Sequence, residues 1–332
     1  MTGFLHKPVL LQETMDILDL RPGMKVVDCT AGAGGHSRSI LERILPDGFL
    51  VAVDRDLQAL EKAEENLGEA LKNFVYPQEN RTEANPARKP YTTVHSNFAR
   101  IKEILNDLDI REIDRVMMDL GVSSLQLDDG DRGFSYQHPG ILDMRMDPSG
   151  DGITAGDVIN TFSAKELEEI LWRYGEERWS RRISRFIIEE RDKAPITTTD
   201  KLAAIIRKAI PAAAREDGPH PAKRSFQALR IYVNGELDSL EQSIADTVEL
   251  LAPAGRLAVI SFHSLEDRIV KETFKNMATG CICPKDFPVC VCGRRPLGKV
   301  LTSKPVAPGR METEENPRSR SAKMRAFQKI AS

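Results

Sequence analysis

Three aspartates stand where predicted β-strands end, which is a pattern that can hold a nucleoside-containing cofactor. Asp28 lies in the apolar run KVVDC, Asp54 follows FLVAV, and Asp119 closes VMMDL. Ligands of open α/β sheets bind at the carboxyl ends of parallel strands, so we expect the three carboxylates to share one crevice. An acid at Asp54 can accept both ribose hydroxyls, and one at Asp28 suits a cationic group such as a methionine amine or a sulfonium.

A glycine-rich loop separates the first of these strands from the next predicted helix. The segment VVDCTAGAGGHS carries Gly32, Gly34 and Gly35, whose backbone can turn sharply and approach a ligand closely. The helix that follows offers unpaired N–H groups. A dinucleotide site would want a third glycine where Ser37 stands. The loop therefore indicates a nucleotide-like cofactor, with a ligand-free glycine turn as the alternative.

A second polar group follows a later strand. SFHSLEDR comes directly after the predicted strand Arg256–Phe262, so His263, Ser264 and Asp267 are expected to line the same crevice and to contact a substrate there. The alternative is that these residues only cap a helix that begins near Glu266.

The elements that must position these residues alternate between strand and helix. This order predicts an α/β fold with a parallel sheet. We expect helices at Ala164–Tyr174, Trp179–Arg191 and Asp200–Ile210 and no strand from Gly133 to Arg215, hence an all-helical insertion at 133–215 within an α/β domain at 1–132 and 216–332. One long helix is predicted at Ser225–Leu251. The segments Tyr76–Pro90 and Lys299–Ser321 are predicted to be irregular.

Charge is distributed unevenly along the 332 residues. The net charge is −3, but the segment from Arg294 onward holds ten Lys/Arg against three Glu, a net charge of +7, which leaves −10 elsewhere. A basic tail on an acidic body favours a surface for a polyanion, and a solvated tail is the alternative. No apolar run reaches the roughly 18 residues that span a bilayer, and no signal peptide is evident.

Four of the five cysteines crowd near the C-terminus, which does not resemble a secreted disulfide framework and favours a cytoplasmic protein. They form two C-x-C pairs, Cys281 with Cys283 and Cys290 with Cys292. Four thiolates can hold tetrahedral zinc, although zinc knuckles more often use C-x2-C. A zinc knuckle and a hairpin of reduced structural cysteines both stay open.

Many segments of the chain, in order, resemble the bacterial RsmH (MraW) family. The matching pieces include HKPVLLQE, DCTAGAGGHS, VDRDLQAL, SNFARI, DLGVSSLQLDDGDRGFSY, GEERWSRRI, HPAKRSFQALRIYVNGEL, GRLAVISFHSLEDRIVK and NPRSRSAKMRA. Each piece alone is weak, but their combination is highly specific. The segment Tyr76–Pro90 resembles an insertion relative to shorter members.

The resemblance implies a class I S-adenosylmethionine-dependent methyltransferase (Rossmann-like) domain with an inserted all-helical domain that recognises substrate. The implied activity is methyl transfer to N4 of a cytosine in the decoding region of 16S rRNA, within the small ribosomal subunit or a late precursor. The implied cofactor residues, carried over position by position, are Gly34, Gly35, His36, Asp54, Phe98, Asp119 and Gln126.

Methylation of an exocyclic amine requires a polar acceptor for the amine protons. Asp119, Ser123 and Ser124 are the catalytic candidates, and the residues alone do not choose among them. Arg145 and Arg318 are candidate phosphate contacts. A nucleotide-cofactor oxidoreductase, a non-catalytic RNA-binding assembly factor and a methyltransferase with another acceptor are the alternatives. Monomer and homodimer both stay open.

Overall fold

The computed structural model describes residues 8–74, 89–215, 220–284, 287 and 289–331. Its helices and strands are, in chain order, α1 (Leu11–Leu18), β1 (Lys25–Asp28), α2 (Gly35–Ile44), β2 (Phe49–Asp54), α3 (Leu57–Asn73), β3 (Tyr91–His95), α4 (Ile101–Asp107), β4 (Ile113–Asp119), α5 (Ser124–Asp128), α6 (Ala155–Thr161), α7 (Ala164–Gly175), α8 (Ser180–Arg191), α9 (Thr199–Ala209), α10 (Lys223–Asn234), α11 (Leu240–Leu250), β5 (Leu251–Ser261), α12 (Ser264–Ala278), β6 (Gly298–Val300), α13 (Arg310–Glu315) and β7 (Lys323–Lys329).

The chain divides into two compact units. The first consists of Met1–Gly121 and Ser239–Ser332, and the second is Val122–Asp238. The predicted insertion, 133–215, is therefore shorter than the second unit, which also holds α5 and α10. Within the described part of the chain, no helix is both long and apolar enough to cross a bilayer.

One sheet of seven strands forms the centre of the first unit, in the order β3-β2-β1-β4-β5-β7-β6. Strands β1 to β5 pair in parallel, and β7 pairs antiparallel with both β5 and β6. Successive residues of β1 enter different cores: Val26 belongs to one apolar cluster and Val27 to the other. Burial on both faces explains the nearly continuous apolar runs. The predicted class I α/β architecture is confirmed.

The second unit is helical. No strand occurs in residues 133–215, all of which the structure describes; Ile141 and Thr198 form a single isolated bridge. Gly175, at the end of α7, lies against α10, where a Cβ would come within 2.7 Å of the Arg224 carbonyl oxygen. Helix α6 was not predicted. It begins with a capping box between Thr154 and Asp157.

The single helix predicted at Ser225–Leu251 is wrong, because the segment forms α10 and α11. Gly235 ends α10 in the left-handed conformation with φ of 57°, and its N–H donates to the carbonyls of Ile231 and Tyr232. Such a glycine is the usual C-terminal stop of a helix.

The prediction of an irregular Lys299–Ser321 is also wrong in part. Strand β6 enters this segment by pairing with β7, and α13 and a 3₁₀ turn at Pro317–Ser321 follow. A three-residue strand is too short to show a periodicity. Its partner, β7, lies more than twenty residues away in the sequence, so no local segment indicates the pairing. Most of the segment Tyr76–Pro90, up to residue 88, lies outside the described residues.

Candidate active site

The loop between β1 and α2 depends on glycine at Gly34. Its φ is 84°, in the left-handed region, and a Cβ built on it would lie 2.9 Å from the Cα of Ala63 in α3. Gly32 has φ of 52°, but a Cβ there would meet nothing within 4 Å. The backbone at Gly34 is therefore held against α3, which fixes the N-terminus of α2.

Replacing Gly34 with Ala is expected to destabilise the fold by about 2–5 kcal/mol. The left-handed conformation costs an L-residue about 1–2 kcal/mol, and the close approach to Ala63 adds an overpacking cost of about 1–3 kcal/mol. Gly32→Ala is the matched control and should show only the first cost. Urea unfolding of both variants measures the difference, and equal destabilisation would contradict the role of the Ala63 contact.

Asp28 is fully buried at the end of β1. Its carboxylate accepts hydrogen bonds from the Ser37 hydroxyl at 2.6 Å and from the Thr30 N–H at 3.1 Å. Burial raises the pKa of Asp28 to about 6, even though these two hydrogen bonds act in the opposite direction. Asp28 thus joins the strand to both the glycine loop and α2.

Asp54, at the end of β2, holds the same loop from the other side. One carboxylate oxygen accepts the Gly32 N–H at 2.7 Å, and the other accepts the Asp56 N–H at 2.9 Å. Burial raises the pKa of Asp54. The Arg55 N–H is a third backbone donor to this carboxylate. A carboxylate offers about four lone-pair sites, so capacity for about one further donor remains.

Asp119 ends β4, the neighbour of β1 opposite to β2. Its backbone N–H donates to the Thr30 hydroxyl at 2.6 Å, which ties β4 to the glycine loop. The side-chain oxygen Oδ1 is buried and has no hydrogen-bond partner among the described residues. Burial, followed by the charges of Asp28 and Glu266, raises the pKa of Asp119 well above its ordinary value. The structure thus brings together all three aspartates predicted to share a crevice.

His36, the second residue of α2, is buried beside this group. Its Nε2 lies 3.1 Å from the Val9 carbonyl oxygen. A carbonyl only accepts, so Nε2 carries a proton in this arrangement. The other ring nitrogen, Nδ1, lies 3.7 Å from Asp119 Oδ2. The imidazole therefore connects the N-terminal segment to the carboxylate.

Phe98 is partly buried and starts a 3₁₀ turn that Asn97 caps by accepting the Ala99 N–H at 3.1 Å. Its ring packs against the apolar cluster that contains Val27 and Val53. Part of Phe98 is therefore a core residue, and the exposed remainder of the side chain is the part that can contact a ligand.

Ser123, Ser124 and Gln126 belong to the second unit, at the start of α5. Ser123 and Gln126 form a capping box: the Ser123 hydroxyl accepts the Gln126 N–H at 3.2 Å, and the Gln126 side-chain oxygen accepts the Ser123 N–H at 3.0 Å. Gln126 is 3% exposed, so it is not a surface residue. Ser124 is the first helical residue.

The segment SFHSLEDR forms the end of β5 and the start of α12. His263 caps the helix, and Glu266 completes a capping box by accepting the His263 N–H at 3.3 Å. Glu266 also accepts the Phe262 N–H at 2.8 Å. Ser264 begins the helix and is exposed. Asp267 forms an ion pair with Arg325 of β7 at 2.6 Å. Burial alone would raise the pKa of Asp267, but the Arg325 contact lowers it overall.

Glu266 was missed as a site residue. It is 2% exposed, and its charge acts on Asp119. The H-x-x-E spacing from His263 is the signal that predicts a capping box, but nothing local indicates that the carboxylate faces a residue about 150 positions earlier.

The two arginines predicted to contact phosphate belong to different units of the chain. Arg145, in the second unit, forms a two-pronged ion pair with Asp143, with both contacts at 2.8 Å, and donates to the Gly150 carbonyl at 2.7 Å. Arg318 is an exposed residue of the 3₁₀ turn at Pro317–Ser321 in the first unit.

Comparison with known proteins gives matches that span the chain. A family model described as the MraW methylase family matches residues 3–330. Ribosomal RNA small subunit methyltransferase H of Brevibacillus brevis is 46% identical, with 99% of this chain and 99% of the relative covered. The protein of the same name from Symbiobacterium thermophilum is 47% identical, with 99% and 98% covered. An rRNA methylase structure from Streptococcus thermophilus shares 10% identity over 99% of both chains, with a TM-score of 0.39.

The family model and these two sequence relatives cover nearly the whole length of the protein, from the segment before α1 to the end of β7. This chain belongs to the MraW methylase family.

Proposed function

We propose that this protein transfers a methyl group from S-adenosylmethionine to the exocyclic N4 of a cytosine in the decoding region of 16S rRNA. Family membership and the name of the sequence relatives support methylation of small-subunit rRNA. The choice of an amine as the methyl acceptor rests on the carboxylate of Asp119. One buried oxygen of this carboxylate has no hydrogen-bond partner among the described residues and can accept from an amine N–H.

The residues around the glycine loop fit a cofactor that carries a ribose and a positive charge. Asp54 keeps acceptor capacity for a ribose hydroxyl, and Gly34 with Gly35 brings the backbone and the start of α2 close to the ligand. Asp28, Asp119 and Glu266 concentrate negative charge, which a cation would offset. We propose that His36, Phe98 and Gln126 complete this site. S-adenosylmethionine supplies a methyl group on a positively charged sulfur.

Direct transfer to nitrogen is favoured over methylation of the cytosine ring. Ring methylation at C5 needs a thiolate nucleophile. Cys29 is the one cysteine near the loop; it is 2% exposed, and burial raises the pKa of its thiol. A buried thiol of high pKa is a poor source of thiolate.

Asp119 is the acceptor for the amine protons in this proposal. The cytosine amine is a weak nucleophile because its lone pair is delocalised into the ring, and a hydrogen bond to a carboxylate oxygen helps the nitrogen to pyramidalise. Ser123 is a weaker candidate, since its hydroxyl already accepts the Gln126 N–H in the capping box. Ser124 stays a candidate as a second polar contact.

A base within folded RNA must leave its stack to reach such a site. We propose that the helical unit binds the RNA backbone through an open cleft of 620 Å³ between α7 and α8. Its lining includes Trp179 together with five cationic side chains, Lys165, Arg178, Arg181, Arg182 and Arg185, against one acidic residue, Glu168. Arg145, Arg318, His263, Ser264 and Asp267 are proposed to contribute further RNA contacts.

A double variant, Arg178→Ala with Arg182→Ala, is expected to weaken binding to 16S rRNA fragments. Each lost phosphate contact should reduce the slope of log affinity against log salt by about 1. Filter binding between 50 and 200 mM salt measures the slope. Arg173→Ala is the matched control, because Arg173 is exposed on α7 but does not line the cleft. An unchanged slope in the double variant would exclude the cleft as an RNA site.

The activity is tested with tritiated S-adenosylmethionine and small ribosomal subunits from cells that lack this protein. Label should appear as N4-methylcytidine after nucleoside analysis of the 16S rRNA, and Asp119→Ala should slow its appearance by about 100-fold or more. Label in another nucleoside would overturn the proposed acceptor. Rescue of subunit assembly without any transfer would favour the non-catalytic assembly factor.

A further inference from the structure

Four cysteine side chains of the first unit converge between α12 and β6, far along the chain from the glycine loop. The Sγ atoms of Cys281, Cys283, Cys290 and Cys292 all lie within 4.8 Å of one another. Cys290 and Cys292 are 3.6 Å apart, and Cys292 and Cys281 are 3.8 Å apart. Zn–S bonds of about 2.3 Å place the sulfurs of a regular tetrahedron about 3.8 Å apart. Two of the six sulfur–sulfur distances thus match a four-thiolate zinc site, and the others are at most 4.8 Å.

We infer that these four cysteines bind one structural Zn²⁺ ion, a function separate from methyl transfer. Thiolates are soft ligands, and a closed set of four suits zinc in a structural rather than a catalytic role.

Backbone donors support the thiolates. The N–H groups of Ile282 and Arg294 donate to the sulfur of Cys292, and the N–H of Cys283 donates to that of Cys281. Hydrogen bonds to ligand atoms orient them and stabilise their charged form, as in other metal sites. Gly293, with φ of 62°, makes the turn between Cys292 and Arg294.

The segment has little apolar burial to hold it together. Ile282 is 61% exposed, Val289 is 70% exposed and Val291 is 72% exposed. Small segments without a core of their own are usually held by disulfides or a metal. All four thiols are free in the structure, with no disulfide among them. A bound metal ion explains how the two exposed C-x-C pairs are held together in the segment that precedes β6.

The test uses the full-length protein, expressed with added zinc and purified under reducing conditions without chelator. Elemental analysis should find about one zinc per chain, and exchange for Co²⁺ should give the thiolate charge-transfer and visible absorption bands of a tetrahedral four-sulfur site. Cys281→Ser and Cys292→Ser should each lose the zinc or bind it far more weakly.

Cys29→Ala is the matched control, because Cys29 is the one cysteine outside the cluster; it should keep the full zinc content. Circular dichroism verifies that each variant is folded, and limited proteolysis should show faster cleavage between Ala278 and Gly298 after zinc removal. Absence of zinc and of cobalt–thiolate bands in the reduced wild-type protein would overturn the inference. So would zinc retained by both Cys→Ser variants, or a Cys290–Cys292 disulfide in the freshly purified protein.

Discussion

An Asp119→Ala variant is expected to transfer methyl groups about 100-fold more slowly than the wild-type protein, or slower still. Removing one preorganised polar group that acts on the reacting centre typically costs about 10²–10³ in kcat. Asp119→Asn keeps a neutral oxygen in the same place, so its rate should lie between those of the wild type and Asp119→Ala. Single-turnover assays on small ribosomal subunits measure this order.

The carboxylate of Asp119 should also make the ligand-free wild-type protein less stable than the Asp119→Asn variant at pH 8. Burial and the neighbouring charges raise the pKa of Asp119 in the folded state, so the folded protein holds a proton that the unfolded chain has already lost. Stability must then fall as pH rises above the unfolded value of about 3.9 and toward the folded pKa. Asp119→Asn removes this dependence and is expected to raise the Tm at pH 8 by about 2–4 °C, the shift that roughly 1 kcal/mol produces in a domain of 150–250 residues.

Asp267→Asn provides the control of opposite sign. The Arg325 contact lowers the pKa of Asp267 overall, so its charged form stabilises the fold above its unfolded pKa and this stability is lost as pH falls. The variant should therefore lower the Tm at pH 8. A lower Tm for Asp119→Asn at pH 8, or wild-type kcat for Asp119→Ala, would contradict the assigned role.

The positions of Asp28, Asp54 and Asp119 could be predicted because two local facts suffice. Each residue follows a short apolar run, and parallel strands present their carboxyl ends at one edge. Glu266 could not be found in this way. Its effect on Asp119 depends on the pairing of β5 beside β4, which is a long-range feature that no short segment encodes.

The boundaries of the helical unit also depend on long-range contacts that no short segment encodes. The periodicity of α10 predicts an amphipathic helix, but it does not state which element covers its apolar face. In the structure Gly175 lets α7 approach α10, so α10 belongs with the helical unit rather than with the sheet. The periodicity also continues across Gly235, where the left-handed backbone of the glycine ends α10.

Asp54→Ala is expected to weaken the binding of S-adenosylmethionine by about 100-fold. A hydrogen bond to a charged acceptor is worth about 1.5–3 kcal/mol, and loss of about 3 kcal/mol at one ribose hydroxyl corresponds to about two decades in Kd. Isothermal titration calorimetry with the cofactor measures the loss. RNA binding should be unchanged, because the cationic cleft lies in the other unit of the chain.

Part of any loss could come from the loop, because Asp54 also accepts the Gly32 N–H. Thr30→Val is the control for this contribution: it removes the hydroxyl that accepts the Asp119 N–H and so loosens the same loop, but it leaves the Asp54 carboxylate in place. If the contact with the ribose dominates, Thr30→Val should weaken the binding of S-adenosylmethionine by less than about tenfold, the equivalent of roughly 1.4 kcal/mol. Equal losses in the two variants would assign Asp54 to holding the loop rather than the ribose. Binding of NAD with an affinity similar to that of S-adenosylmethionine would instead revive the oxidoreductase alternative, since the loop's charge pattern would then not discriminate between the two cofactors.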